Sequence, residues 1–245
     1  MNQAYSTVTC VVTGGSNGIG RAIVQDLAAK GATVVNIDRS IPDWTLDKVH
    51  HYQADLTDAA DTARVAGEVA ARFQVTALVN NVGATRPGSV ESANAEDLRI
   101  VTALHTETPL KLVQHFLPTI KNCGQGRIVN ISSRAALGKH DRLVYSTTKA
   151  GMVGMMRTLA MELGQYGVTA NAIGPGPIDT ELFRVSNPAG APSTQRIIDS
   201  IAVKRLGTPE DVARLVSFLV APENGFITGQ MIYICGGTTL GVAPV

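Results

Sequence analysis

At 245 residues the chain can bury one substantial core as a single domain, and 44% hydrophobic against 17% charged residues, with 24 glycines, fits a well-buried sheet and excludes disorder. Basic and acidic residues number 21 and 20, a net charge of +1, which leaves no electrostatic footprint for nucleic acid or an anionic membrane. Three cysteines without a C-x-x-C, five histidines without ligand spacing, no leader-like N-terminus and no apolar run of about 18 residues point away from disulfides, metal and membrane, toward a cytoplasmic protein.

Short β-branched runs at 7–13, 32–37, 76–80, 127–132, 168–173 and 231–235 alternate with helical patterns near 18–30, 58–73, 94–120, 145–166 and 209–220. This alternation predicts a single α/β domain of Rossmann-like form, a doubly wound parallel sheet with helices on both faces.

The first strand runs into Thr13-Gly-Gly-Ser-Asn-Gly-Ile-Gly20, a glycine turn that opens a helix. Gly14, Gly18 and Gly20 let backbone approach a pyrophosphate, and the N–H groups of the turn, which includes Ser16, Asn17 and Ile19, add the helix dipole. Asp38 ends the second strand, where a carboxylate takes ribose hydroxyls and repels a 2′-phosphate, so NAD is expected ahead of NADP. Arg39, beside it, is the feature that favours NADP. From Asp38 to Asp55 the path is short, and Pro42-Asp43-Trp44 predicts a loop that opens the adenine edge.

Tyr145-Ser-Thr-Thr-Lys149 carries the chemistry. On a helix Tyr145 and Lys149 stand four residues apart on one face, and an ammonium there pulls a phenol pKa down from about 10 by about 1–3 units. The rest of the shift needed near neutrality is left to a second cation, such as a charged cofactor.

With Asn80-Asn-Val-Gly83, Asn171-Ala-Ile-Gly-Pro-Gly176, Arg205-Leu-Gly-Thr-Pro-Glu-Asp-Val212 and Ile227-Thr-Gly-Gln230 added, the chain resembles the short-chain dehydrogenase/reductase family from end to end. The resemblance implies a hydride moved between NAD(H) and an alcohol or ketone carbon, with Tyr145 as acid/base, Lys149 tuning it and holding the nicotinamide ribose, and Ser133 holding the substrate oxygen. It also implies that Asp55 and Leu56 lie along the adenine, Asn81 and Gly83 against the ribose, and Pro175, Gly176, Ile178 and Thr180 along the nicotinamide. Dimers or tetramers formed through the two long central helices and the C-terminal strand are expected as well.

The chain departs from the family pattern at several positions. The active-site Asn falls on His105, which titrates at about pH 6.5 in water and joins a proton relay, abolishes it, or serves only packing or substrate contact. Ser133 precedes Tyr145 by 12 residues where 13 is usual, which leaves Ser132 as a second candidate. Near the C-terminus V-D-G-G reads Ile234-Cys235-Gly236-Gly237.

Substrate contacts are expected from 84–89, 134–144 and a mobile lid at about 181–204. Arg86, Arg134, Lys139, His140 and Arg142 make two of these loops basic, the pattern of an anionic-substrate site or of solvated loop charges. Two other readings stand beside the NAD-dependent enzyme: an NADPH-dependent reductase of 3-oxoacyl type, and a decayed dinucleotide-binding scaffold or sensor.

Overall fold

A computed structural model describes residues 5–240. Seven parallel strands form one sheet, β1 (Thr9–Thr13), β2 (Thr33–Asp38), β3 (Val49–Gln53), β4 (Ala77–Asn80), β5 (Arg127–Ile131), β6 (Thr169–Pro175) and β7 (Met231–Ile234), in spatial order β3-β2-β1-β4-β5-β6-β7. The order reverses between β1 and β4, whose register pairs Cys10 with Ala77 and Val12 with Val79. A crevice therefore opens at the C-terminal ends of these two strands, the place where such sheets bind ligands.

Alternation along the strands sorts the core into two layers. Cys10, Val12 and Val34 face α1 (Gly18–Ala29) and α8 (Pro209–Val220), packing on Ile23, Leu27 and Val216. Val11, Val35 and Ile37 face α2 (Ala59–Arg72), α4 (Thr108–Asn122) and α5 (Leu143–Leu163), with Leu112, Phe116 and Met156 at the centre of that layer. Arg127 is a polar exception inside the sheet. Its buried guanidinium donates to the carbonyls of Gly126 (2.9 Å), Gly167 (3.3 Å), Ala221 (3.3 Å) and Pro222 (2.7 Å), tying the end of α8 to the start of β5.

Three features differ from expectation. β3 is a seventh strand, and its half-exposed Val-His-His-Tyr-Gln pattern lacks the apolar run that marks its neighbours. The expected helix over 94–120 is broken into α3 (Ala95–Thr102), a π-helical turn (Ala103–Glu107) and α4. The 181–204 stretch holds two helices, α6 (Glu181–Ser186) and α7 (Pro192–Ser200). On α5 the buried face is Thr148, Lys149, Met152, Met156 and Ala160, whereas Ala150 is exposed. Among the described residues no helix is long and apolar enough to cross a membrane.

Candidate active site

A cavity of about 430 Å³ lies in the crevice, and Gly14, Asn17, Gly18, Ile19, Gly20, Asp38, Asp55, Leu56, Asn81, Gly83 and Thr180 all line it. Gly14 and Gly18 have φ of +68° and +52°, which L side chains rarely adopt. Gly20 is required for another reason, because a Cβ there would stand 1.9 Å from the Gly14 carbonyl oxygen, so the turn closes on itself. Asn81 braces that closure, its amide donating to the carbonyls of Thr13 and Gly14, both at 3.0 Å, while Thr13 Oγ1 accepts from the N–H groups of Asn81 and Val82.

Ser16 is buried beneath the turn. Its N–H donates to Asp38 Oδ2 (3.0 Å) and its hydroxyl to the Ser40 carbonyl (2.7 Å), and Ser40 N–H donates to Asp38 Oδ1 (3.0 Å). The Asp38 carboxylate is thus fixed at the rim by two backbone donors. Residues 39–48 form the expected loop, but the loop is pinned, because the Trp44 indole donates to the Ser16 carbonyl (3.2 Å) and lies under the Arg21 guanidinium at 5.6 Å. Asp55 accepts from the N–H and hydroxyl of Thr57, which holds its carboxyl below its ordinary pKa.

Beyond Gly83, at the end of the cavity wall, stands Lys149 of α5. Ser132 and Ser133 follow β5 and do different work. Ser132 donates to the Lys149 carbonyl (2.7 Å), whereas Ser133 accepts from Ala135 N–H (3.1 Å) and meets the Tyr145 phenol. Lys149 is buried, and its ammonium donates to the Ile131 carbonyl at 2.8 Å. Burial lowers its pKa from 10.5 to about 7. For Tyr145 the balance runs opposite to the expectation from spacing. Burial raises the phenol pKa, and the Ser133 hydroxyl and the Arg142 charge, not the Lys149 ammonium, act downward.

His105 sits fully buried in the π-helical turn, its ring edge-on to Tyr145 at 5.6 Å and its Nδ1 2.8 Å from Thr148 Oγ1. Burial and the neighbouring Lys149 charge take its pKa down to about 2, so the expected titration at about pH 6.5 is lost and the ring is neutral. Its Nε2 has no partner among the described residues, and a Cβ on Gly83 would stand 2.8 Å from it and 3.4 Å from Lys149 Nζ.

Pro175, Gly176 and Ile178 lie outside the cavity wall. The Ile178 side chain packs on Gly207, and Gly176 lies against Cys235, which is buried at the end of β7 with its thiol against Thr239 Oγ1 (3.3 Å). Thr180 does reach the cavity, with its methyl facing Gly18.

A family model described as "Enoyl-(Acyl carrier protein) reductase" matches residues 14–239, nearly the whole chain, from the glycine turn to beyond β7. The chain is a short-chain dehydrogenase/reductase. As a member of this family it is an NAD(P)-dependent oxidoreductase of alcohol and carbonyl groups. It is 32% identical over 240 residues to the (2S)-((R)-hydroxy(phenyl)methyl)succinyl-CoA dehydrogenase subunit BbsD of Thauera aromatica, covering 94% of this chain and 96% of that one. It is 31% identical to the 3-oxoacyl-(acyl-carrier-protein) reductase FabG of Thermotoga maritima over 94% and 97% of the two chains. A blue fluorescent protein from a metagenomic library, solved in complex with NADPH, superposes with a TM-score of 0.85 at 29% identity, over 97% of this chain and 99% of that chain. The dinucleotide fits this dehydrogenase/reductase on its own geometry, since a glycine turn with two left-handed residues and a helix N-terminus opens on a cavity rimmed by a fixed carboxylate.

Sequence reasoning missed Thr148, and it named Trp44 and Arg142 only as loop residues, without the contacts of Trp44 to Ser16 and Arg21 or the effect of Arg142 on Tyr145. Thr148 was legible as the position before Lys149 on the same buried face, but nothing local linked it to His105.

Proposed function

We propose that the enzyme exchanges a hydride between NAD(H) and an alcohol or ketone carbon of a small substrate, with Ser133, Tyr145 and Lys149 handling the proton. The observation that carries this reading is the placement of Tyr145 one helical turn from the buried Lys149 ammonium on α5, beyond the Gly83 end of the glycine-turn cavity and with Ser133 just past β5. When bound, the nicotinamide supplies or accepts the hydride. Gly14, Asn17, Gly18, Ile19 and Gly20 hold the phosphates, Asp38 the adenosine ribose, and Asp55 and Leu56 the adenine.

In the reductive direction Tyr145 gives its phenolic proton to the substrate oxygen. The raised pKa keeps that proton in place at neutral pH until charge develops on the oxygen. Ser133 donates a hydrogen bond to the same oxygen, and the Lys149 ammonium, 5.7 Å from the phenol ring, holds the nicotinamide ribose. His105 touches no reacting atom in this scheme. It is a positioning residue, a neutral ring wedged between Tyr145 and Thr148. The convergence of Ser133, Tyr145 and Lys149 argues against a decayed scaffold. Tyr145→Phe tests the reading: kcat is expected to fall by about 10²–10⁴ while NADH fluorescence titration still reports binding. Turnover within a few-fold of the parent would reject it.

NAD is preferred in this reading because the Asp38 carboxylate stands where a 2′-phosphate would come. Arg39, which also lines the cavity, supports the second reading, an NADPH-dependent 3-oxoacyl-type reductase, and the NADPH-bound neighbour and FabG give it weight. The ratio of kcat/KM for NADH and NADPH separates the two. Leu110 on α4 and Met161 on α5, 46% and 76% exposed, fit assembly into a dimer or tetramer, which light scattering reads directly.

A further inference from the structure

The stretch joining Ser133 to Tyr145 carries Arg134, Lys139, His140 and Arg142 against one carboxylate, Asp141. The structure sorts these charges. His140 pairs with Asp141 at 2.9 Å, and Arg86 on the facing loop is taken by Asp97 at 3.2 Å. Among the described residues Arg134, Lys139 and Arg142 have no carboxylate within ion-pair distance, and the Arg142 guanidinium reaches only the Asp141 carbonyl, at 2.7 Å. Elsewhere Arg64, Arg99, Arg184, Arg205 and Arg214 all sit on carboxylates.

The three cations are also held together. Arg134 opens a 3-10 turn (Arg134–Leu137) directly after Ser133, and Arg142 is the N-cap of α5, three residues before Tyr145. Gly138 and Asp141, with φ of +98° and +55°, fold the stretch back, and Gly88 pins it, donating to the Asp141 carbonyl (3.0 Å) and accepting from Leu143 N–H (3.3 Å). Lys139 is exposed, with Arg134 and Arg142 flanking it on this folded-back stretch, and the Arg142 charge acts downward on the Tyr145 phenol pKa. The first turn of α5 has no acidic residue to offset them, and its dipole adds positive potential.

We propose that Arg134, Lys139 and Arg142 form a subsite for an oxoanion on the substrate, so that the reacting alcohol or ketone is a carboxylate- or phosphate-bearing compound rather than a neutral one. This rests on the oxidoreductase reading above and names its substrate class. Guanidinium pairs read such oxoanions by fork geometry. Leu137 and Leu143, 63% and 47% exposed in the same stretch, take the carbon skeleton between the anion and the reacting carbon.

Matched secondary alcohols of one skeleton, ending in methyl, carboxylate or phosphate, test this by steady-state hydride transfer at several chain lengths. The expected result is a kcat/KM at least about tenfold higher for an anion than for the methyl compound, eroded by added salt. Which anion leads identifies the oxoanion. The triple variant Arg134→Gln, Lys139→Gln, Arg142→Gln, checked for folding by its thermal melt, is expected to bring that ratio close to one. Equal rates for neutral and charged members, or a preference indifferent to salt and to the triple variant, overturn the subsite and leave the oxidoreductase reading standing. A preference that emerges only with acids displayed on a carrier protein also counts against it. No hydride transfer with any member overturns both readings.

Discussion

Replacing Lys149 by methionine should abolish catalysis and, at neutral pH, make the protein more stable. A buried ammonium whose pKa falls from 10.5 to about 7 costs the folded state about 4 kcal/mol at pH 7, because the unfolded chain holds that proton freely. Methionine removes the cost but leaves the Ile131 carbonyl without its 2.8 Å donor, a loss of about 1–3 kcal/mol. The net expectation is a gain of about 1–3 kcal/mol, or several degrees in Tm at about 2–4 °C per kcal/mol for a chain of this size. The sign has a pH signature. The folded pKa is depressed, so the penalty is absent above pH 10.5, accrues as pH falls, and is complete below about pH 7. Parent stability should therefore climb between about pH 7 and 10 by up to about 1.4 kcal/mol per unit from this group, and in Lys149→Met that component should vanish. Urea unfolding of both proteins at pH 7 and pH 9.5 measures it, with all other groups cancelling in the difference. A variant less stable than the parent at pH 7, or one with the parent's pH slope, would refute the reasoning.

Gly20→Ala should collapse the glycine turn, since the added carbon would meet the Gly14 carbonyl oxygen at 1.9 Å; loss of dinucleotide binding by calorimetry and a lowered Tm are expected together. Asp38→Asn keeps the side-chain shape but not its charge, so the NADP/NAD ratio of kcat/KM should rise about tenfold or more, one repulsive contact being worth about 1.4 kcal/mol. Thr148→Val deprives His105 Nδ1 of its partner and should cost about 1–3 kcal/mol in stability, with kcat lowered more than KM raised; Thr148→Ser should restore both.

The sheet was legible because each central strand is a β-branched run and each crossover a periodic helix. β3 escaped because, at the edge of the sheet, it buries too little to need an apolar run. The π-turn escaped for a different reason: one residue of extra winding is invisible in a periodicity read over two dozen residues. At the site, the motifs located Tyr145, Lys149 and the glycine turn, because those contacts are local or nearly so. The pKa of each group was not legible. It is set by enclosure from elements distant in sequence, which raises Tyr145, lowers Lys149 and silences His105. Asn81 shows the same limit, since its amide props up the glycine turn from 67 residues away.

β5 has different obligations at its two ends. The end at Arg127 is a rivet through four carbonyls that fastens a distant helix to the sheet, and the other end leads into Ser132 and Ser133 at the candidate site. Because the fastening lies a full strand length from the chemistry, the rim loops can be rewritten to accept new molecules while the foundation stays intact. Efforts to retarget this enzyme belong at one end of that strand, and efforts to toughen it at the other.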